Sequence, residues 1–209
     1  MRSILIVNPK GGAGKTTLAT NLAGGLASAG DDEVRLWDLD RQHSALAWLA
    51  LRPADRPIIR SLVGTKKEHG QSARSRTGWL ILDAPAGIRG KMLQRALRIV
   101  NKVIVPIQPS IFDMAASRDF LLELLEEKAV RKHKCAIGIV GMRVDPRTRA
   151  ASTLGAYLQQ YDLPMLTWLR DTQTYANAAF KGLSIFDLPV SISGRDTEQW
   201  RPILEWVTD

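Results

Sequence analysis

One short run of residues carries the chemistry most readily recognised in this chain. Residues 10–17 read K-G-G-A-G-K-T-T, directly after the apolar stretch 4–7 and at the start of a helical pattern. Glycines let successive backbone N–H groups turn toward one anion, and a helix N-terminus adds partial positive charge there. Lys15 would add a full charge, and the Thr16 hydroxyl could complete a Mg²⁺ shell. The run therefore predicts a phosphate-binding loop.

The loop departs from the general pattern G-x-x-x-x-G-K-[ST] at its first position, where Pro9 stands, and carries a second lysine, Lys10. This K-G-G-x-G-K-T-T form resembles the deviant Walker A loop of the ParA/MinD ATPase family. The resemblance implies that Lys10 reaches across a dimer to the partner's nucleotide. The simpler alternative is a glycine-rich turn with exposed lysines. The predicted nucleotide-binding loop residues are Lys10, Gly11, Gly12, Ala13, Gly14, Lys15, Thr16 and Thr17.

A second acidic segment follows the predicted strand 33–38. The residues Asp38 and Asp40 resemble the family's D-x-D-P-Q switch I segment, with Arg41 in place of its proline. The resemblance implies that Asp40 positions or activates the attacking water, and that Asp38 supports the Mg²⁺ shell or the loop. Asp38 alone fits equally well as a cap for the next helix near Ser44.

A third segment ends the apolar strand 79–83 in Asp83, which is the Walker B arrangement. The sequence D-A-P-A-G-I that begins there resembles the switch II segment of MinD-like members, with Gly87 giving the loop freedom to rearrange. The predicted catalytic set is Lys10, Lys15 and Asp40. The predicted metal-binding set is Thr16, Asp38, Asp40 and Asp83.

The sequence motifs also indicate which nucleotide base is bound and which reaction is catalysed. No N-K-x-D guanine motif occurs, so ATP is expected rather than GTP, with Met142 and Arg143 beside the adenine. Part of the charge stabilisation for phosphoryl transfer must come in trans from Lys10 of another subunit. We therefore expect slow hydrolysis, Mg²⁺ dependence and an ATP-sandwich homodimer.

The elements that must position these residues alternate along the chain. Apolar strand patterns lie at 3–8, 33–38, 79–83, 102–107, 135–141 and 165–169, and helical patterns at 15–29, 44–51, 90–100, 114–131, 147–161, 173–181 and 197–207. Such alternation predicts an α/β fold: a single-domain P-loop NTPase, residues 1–209, with a mostly parallel, doubly wound sheet flanked by helices. The basic stretch 52–78 reads as a connector.

Composition narrows the class of protein. No stretch approaches the ~18 consecutive apolar residues of a membrane span, and residues 1–2 lead directly into a strand rather than a signal peptide. The single cysteine, Cys135, precludes an intramolecular disulfide and lies in an apolar run, so we expect a buried side chain and a cytoplasmic protein. No separate N-terminal DNA-reading module is expected.

Charge points to the partner. The formal net charge is +8, which suits a polyanion or simply a basic surface. By resemblance, Arg147, Arg149, Arg170 and Lys181 are the predicted contacts with non-specific DNA, and the basic runs 74–76 and 131–134 could add to them. The tail 196–209 has helical apolar spacing but carries three acids on its polar positions, so a helix packed on the sheet is favoured over a membrane anchor.

The resemblance implies a nucleoid-associated, Mg²⁺-dependent ATPase that positions a plasmid, a chromosome or a protein cargo. A ParB-like or other small adaptor protein would stimulate its hydrolysis, and no stable membrane association is expected. Two alternatives remain: a MinD-like membrane ATPase, and a small-molecule ATP-dependent enzyme of the dethiobiotin-synthetase type. The sequence does not identify the cargo.

Overall fold

Seven strands form one parallel sheet in the part of the chain that the computed structural model describes, namely residues 1–30, 32–62, 77–132 and 134–209. The strands are β1 (Arg2–Ile6), β2 (Val34–Asp38), β3 (Ile59–Ser61), β4 (Trp79–Asp83), β5 (Lys102–Ile107), β6 (Ala136–Met142) and β7 (Met165–Leu169). Their order across the sheet is β3-β2-β4-β1-β5-β6-β7. The chain moves from β1 toward one edge and from β5 toward the other, so the crevice beyond the carboxyl end of β1 is the switch point where such sheets bind ligands.

Helices cover both faces of this sheet. They are α1 (Lys15–Ala29), α2 (Ser44–Ala50), α3 (Gly90–Leu97), α4 (Ile111–Glu126), α5 (Lys128–Arg131), α6 (Arg149–Gln159), α7 (Gln173–Ala179) and α8 (Val190–Thr208), with a 3₁₀ turn at Ile185–Asp187. Strand β1 shows why residues 4–6 are continuously apolar. Ile4 and Ile6 pack into the core under α1 and α8, whereas Leu5 packs into the core under α3, α4 and α6.

The fold class predicted from the sequence is confirmed, and each of the six predicted strands is present. The structure adds β3, which lies inside the stretch 52–78 that reads as a connector. Its three residues are too few for a periodicity to show. Residues 63–76 of that stretch, including the basic run 74–76, lie outside the described residues.

Capping residues explain where several predicted helix boundaries were wrong. Helix α4 begins at Ile111 because the Ser110 side chain caps it by accepting a hydrogen bond from the Asp113 N–H. Helix α6 begins at Arg149 because Thr148 caps it in the same way. The predicted helix 90–100 ends earlier, at Leu97.

The final helix is longer than predicted and packs its apolar face on the sheet, as expected. Trp200 is fully buried, its indole N–H donates to the Tyr175 hydroxyl at 2.9 Å, and Ile203 and Val207 are buried beside it. Across the described residues, no helix combines the length and apolar character needed to cross a membrane. Cys135 is buried as predicted, and burial raises the pKa of its thiol to about 12.

Candidate nucleotide site

The loop between β1 and α1 has the backbone shape that an anion requires. Gly12 and Gly14 adopt positive φ angles of 75° and 93°, which residues with a Cβ rarely adopt. Gly14 is the N-cap of α1 and supplies no side-chain capping bond, and no acidic residue lies in the first turn. The first N–H groups of α1 are therefore available to a phosphate.

Lys15 lies within the curve of this loop. Its ammonium donates to the carbonyl oxygen of Lys10 at 2.9 Å, so the side chain spans the loop from inside. Burial lowers the pKa of Lys15, while the charges of Asp83 and Asp40 act in the opposite direction. The side chain thus brings a cation into a partly dehydrated loop, where it interacts strongly with an anion.

Asp83 ends β4 beside this lysine and is the clearest metal-binding candidate. Its Oδ2 accepts a hydrogen bond from the Thr16 hydroxyl at 2.7 Å, whereas its Oδ1 is buried without a partner among the described residues. Burial is the main cause that raises the pKa of Asp83 to about 7. An orphaned carboxylate oxygen next to a threonine hydroxyl suits Mg²⁺, directly or through its water.

The described residues contain no preassembled group of three side chains from His, Cys, Asp and Glu that could hold a metal. The predicted set of Thr16, Asp38, Asp40 and Asp83 is therefore not a complete cage. A Mg²⁺ ion at Thr16 and Asp83 would take its remaining ligands from phosphate and water, as is usual for Mg²⁺ in nucleotide sites.

Asp38 is primarily the cap of α2. Its Oδ2 accepts from the N–H groups of Ala45 and Leu46 at 2.9 and 3.2 Å, and its Oδ1 accepts from that of Asp40 at 2.9 Å. The capping alternative is thus present, and the carboxylate holds the switch I segment in place. A contact between Asp38 and the metal shell stays a prediction.

Asp40 lies at the same edge of the sheet. Asp38 pairs with Asp83 in the register between β2 and β4, so the segment that follows Asp38 leaves the sheet beside the end of β4. The charge of Asp40 acts on both Lys15 and Asp83. Its Oδ1 accepts a hydrogen bond from the Gln42 N–H at 3.0 Å. The carboxylate therefore lies near the phosphate-binding loop, and its role in positioning water stays a prediction.

Two residues that the sequence analysis missed hold the loop to the neighbouring strand. The Asn8 side chain is buried, accepts from the Lys10 N–H at 2.8 Å and donates to the Pro106 carbonyl at 2.7 Å. The Gln108 amide donates to the Gly12 carbonyl at 2.8 Å. Asn8 follows β1 and Gln108 follows β5, and both strands are buried. A polar amide just after a buried strand is the signal from which the sequence could have predicted that these side chains hold the loop.

A cavity of about 570 Å³ extends from the loop toward β7 and α7. Met142 and Arg143, whose contact with the base stays a prediction, line it together with Asp171, Thr172 and Tyr175, which the sequence analysis did not name. Met142 lies so close to the loop that a Cβ on Gly14 would meet its Cε at 2.6 Å. The cavity walls are mostly apolar, as suits a nucleotide base.

The four residues predicted to contact DNA differ in their surroundings, because two of them form ion pairs and two do not in the part of the chain that the structure describes. Arg147 makes two hydrogen bonds to the Asp145 carboxylate, at 3.0 and 2.8 Å, and Arg170 makes two to Asp196, which is fully buried. The Arg170 guanidinium neutralises a buried carboxylate and so anchors α8; a contact between Arg170 and DNA stays a prediction. Arg149 and Lys181 have no ion pair within the described ranges.

Comparison with known proteins agrees with this geometry. The sequence profile described as the CobQ/CobB/MinD/ParA nucleotide binding domain matches residues 4–185. The chain belongs to this family. It is a nucleotide-binding ATPase of the ParA/MinD type, and the match contains the loop, both acidic segments and the base cavity, but not α8.

Three relatives illustrate the range of this ParA/MinD-type group. Maintenance of carboxysome distribution protein A from Halothiobacillus neapolitanus is 26% identical over 191 residues, covering 89% of this chain and 87% of the relative. The chromosome-partitioning ATPase Soj from Thermus thermophilus is 30% identical over 200 residues, covering 80% of each chain. The structure of a Cyanothece McdA variant in complex with ATP superposes with a TM-score of 0.73 at 15% identity, covering 100% of this chain and 95% of the other.

Proposed function

We propose that this ParA/MinD-type protein hydrolyses ATP with Mg²⁺, forms an ATP-sandwich homodimer and binds non-specific DNA while it positions a cargo. The observation that carries the proposal is the unpartnered Oδ1 of Asp83 beside the Thr16 hydroxyl, at the open N-terminus of α1. A phosphate at this helix N-terminus and a Mg²⁺ ion at Thr16 would both lie beside the Asp83 carboxylate. The two relatives with chromosome and carboxysome functions support the positioning role.

The residues divide the reaction among themselves. The loop N–H groups and Lys15 hold the phosphates, and Thr16 and Asp83 would hold Mg²⁺, which screens the charge of the transferred phosphoryl group. Asp40 orients the attacking water from switch I. Gly87, whose N–H donates to the Pro9 carbonyl at 2.8 Å, couples switch II to the phosphate-binding loop. Loss of the γ-phosphate from the phosphate-binding loop would change the conformation of switch II through that contact.

Dimerisation would supply the additional positive charge that phosphoryl transfer requires. Lys10 is not needed to close the loop around Lys15, because only its backbone carbonyl contacts that side chain. Its ammonium lies 2.8 Å from the Asp113 carboxylate. Once released from that ion pair, it would serve the nucleotide of a partner subunit, as an arginine finger does in other phosphoryl-transfer enzymes. Hydrolysis by the isolated protein would then be slow and would rise when a ParB-like or other small adaptor protein binds the dimer.

DNA binding would place the ATP dimer on the nucleoid in the cytoplasm. The net charge of +8 supports it, and Arg147, Arg149, Arg170 and Lys181 stay predicted contacts. The membrane alternative is not favoured, since α8 buries Trp200 and Ile203 against the sheet rather than presenting them to lipid.

The test is binding of random-sequence duplex DNA by the wild type and Asp40→Ala, with ATP, ADP or no nucleotide, across a salt series. Asp40→Ala should bind ATP but hydrolyse it slowly, so it should trap the DNA-bound dimer. Binding that needs ATP, persists longer in Asp40→Ala and weakens steeply with salt supports the proposal. Binding that is equal in all nucleotide states, or absent in all, contradicts it.

A further inference from the structure

Two consecutive large apolar side chains stand exposed at the start of α4, and we name them the apolar turn. Ile111 is 72% exposed and Phe112 is 78% exposed. Within the residues that the structure describes, they are the only two neighbours in sequence that are both large, apolar and exposed. The Ser110 cap fixes the helix directly before them, so both side chains are presented from an ordered turn. Apolar surface held in this way indicates contact with another protein.

The apolar turn lies at the same edge of the sheet as the phosphate-binding loop. The loop follows β1, and α4 follows β5, which pairs in parallel with β1. Two side-chain contacts join the loop segment to α4. The Lys10 ammonium lies 2.8 Å from the Oδ2 of Asp113, and the Asn8 amide donates to the Ser117 hydroxyl at 3.3 Å. The start of α4 is therefore fixed to the segment that would bind the nucleotide.

Lys10 relates the apolar turn to a second copy of the chain. Asp113, which holds the Lys10 ammonium, is the next residue after Phe112. A lysine side chain is short compared with a subunit, so the surface beside Lys10 must face the partner when its ammonium reaches the partner's nucleotide. The second copy also brings the complementary charge, since its bound triphosphate is anionic and Lys10 is cationic. The apolar turn is thus continuous with the interface of the proposed dimer.

The other segments of that interface offer little apolar surface. In the phosphate-binding loop and the two switch segments, each exposed residue is small or polar, namely Gly11, Gly12, Arg41, Gln42, His43, Ser44, Ala86 and Gly87. Stable interfaces bury apolar and aromatic side chains near their centre, and a few such residues carry most of the binding energy. Phe112 is the aromatic side chain available for that role beside Lys10.

We propose that the apolar turn forms the apolar contact of the ATP-dependent homodimer, with a second copy of this chain as its occupant. This inference rests on the proposed function and names the residues that give its dimer an apolar contact. Two-fold symmetry uses the turn once from each subunit, so a single substitution alters two contacts in the dimer.

The size of the apolar turn explains why the dimer needs ATP. A stable interface buries about 800 Å² on each partner, and two side chains supply only a fraction of that area. The turn cannot hold two subunits together by itself, and the contacts made through the nucleotide must add to it. With ADP, which lacks the γ-phosphate, the protein should therefore stay monomeric.

The test compares Phe112→Ala with the matched variant Ile58→Ala. Ile58 is 71% exposed and directly precedes β3, so it lies at the amino ends of the strands, opposite the nucleotide edge. Dimerisation is measured by sedimentation velocity over a range of protein concentrations, with Mg²⁺ and a slowly hydrolysed ATP analogue. ADP binding by calorimetry and the circular dichroism spectrum should stay unchanged in both variants, because neither side chain lines the nucleotide cavity.

We expect Phe112→Ala to raise the dissociation constant of the dimer by about tenfold or more, and Ile58→Ala by about twofold or less. Phe112→Leu, which keeps a large apolar side chain, should stay within about threefold of the wild type.

Equal dimerisation of Phe112→Ala and wild type overturns the inference, leaves the proposed dimer standing and assigns the apolar turn to a different partner protein. Equal losses in Phe112→Ala and Ile58→Ala also overturn it. A wild type that stays monomeric with the ATP analogue overturns the dimer of the proposed function itself.

Discussion

The ammonium of Lys10 lies 2.8 Å from the Oδ2 of Asp113, which is buried at the first turn of α4. Ser110, the cap of that helix, contacts the same carboxylate oxygen. The lysine that the family resemblance assigns to a partner subunit is therefore engaged within its own chain in this structure. The ion pair must break before Lys10 can reach another subunit's nucleotide.

We predict that Asp113→Asn shifts ATP-dependent dimerisation to lower ATP concentration. The substitution removes the charge that holds Lys10 yet keeps a side chain that Ser110 can contact. Partly exposed ion pairs contribute about 0.5–1 kcal/mol, so the shift should be about two- to fivefold. Sedimentation velocity in an ATP titration measures it, with Lys10→Ala as the control that should not dimerise. An unchanged or higher ATP requirement in Asp113→Asn would contradict the prediction.

Asp83 should make the nucleotide-free protein less stable as the pH rises. Its folded pKa of about 7 lies above the ordinary value of 3.8, so the folded state binds more protons than the unfolded state between those values. The free energy of unfolding should therefore fall from pH 4 to pH 7 and level off above, by an amount on the order of 1–3 kcal/mol.

Urea titrations of the wild type and Asp83→Asn at several pH values test this. The amide cannot ionise, so its unfolding free energy should lack that fall and exceed the wild-type value at pH 8. ATP hydrolysis by Asp83→Asn should nevertheless drop by about 100-fold or more, because the metal contact is weakened. Parallel pH profiles for the two proteins would show that Asp83 is not the titrating group.

Loss of the Asp38 cap should destabilise switch I and α2. Asp38→Ala leaves the N–H groups of Ala45, Leu46 and Asp40 without acceptors, and loss of a helix cap costs about 0.5–2 kcal/mol. Asp38→Asn keeps one acceptor oxygen and should recover part of that stability. Urea denaturation ranks the three proteins. Equal stability of Asp38→Ala and wild type would show that water replaces the cap.

A buried ion pair joins the end of α2 to the 3₁₀ turn before α8. Arg52 donates to both Asp187 oxygens at 2.9 and 3.0 Å, and both side chains are almost completely buried. Burial pushes the pKa of Asp187 upward, but hydrogen bonds from Arg52 and Ser184 hold it below the ordinary value. Asp187 therefore stabilises the fold above about pH 4, and that stabilisation is lost as the pH falls through its lowered pKa.

Arg52→Ala or Asp187→Ala should each cost about 3–5 kcal/mol, because the remaining charge is left buried and unpaired. The double variant should cost less than the sum of the two, because it leaves no unpaired charge. Thermal and urea unfolding of the full cycle measures the difference. Additive losses would show that the two side chains do not stabilise each other.

The sequence predicted those parts of the fold and site in which residue type alone determines the structure. Positive φ angles require glycine at positions 12 and 14, and strands buried on both faces require runs such as 79–82, so the loop, the sheet and Asp83 could be predicted. It could not show that Asp196 holds Arg170, because that pair depends on a tertiary contact. The contacts that Gln108 and Asp113 make could not be predicted from the sequence for the same reason.

Trp48 contributes its ring to the wall of the nucleotide cavity while its indole N–H is fixed to the Leu183 carbonyl at 3.1 Å. A fluorophore held in one orientation beside the ligand responds to occupancy through changes in its local polarity. Nucleotide affinity can therefore be read from intrinsic emission, without a label. Trp48→Phe would identify that signal among the six tryptophans of the chain.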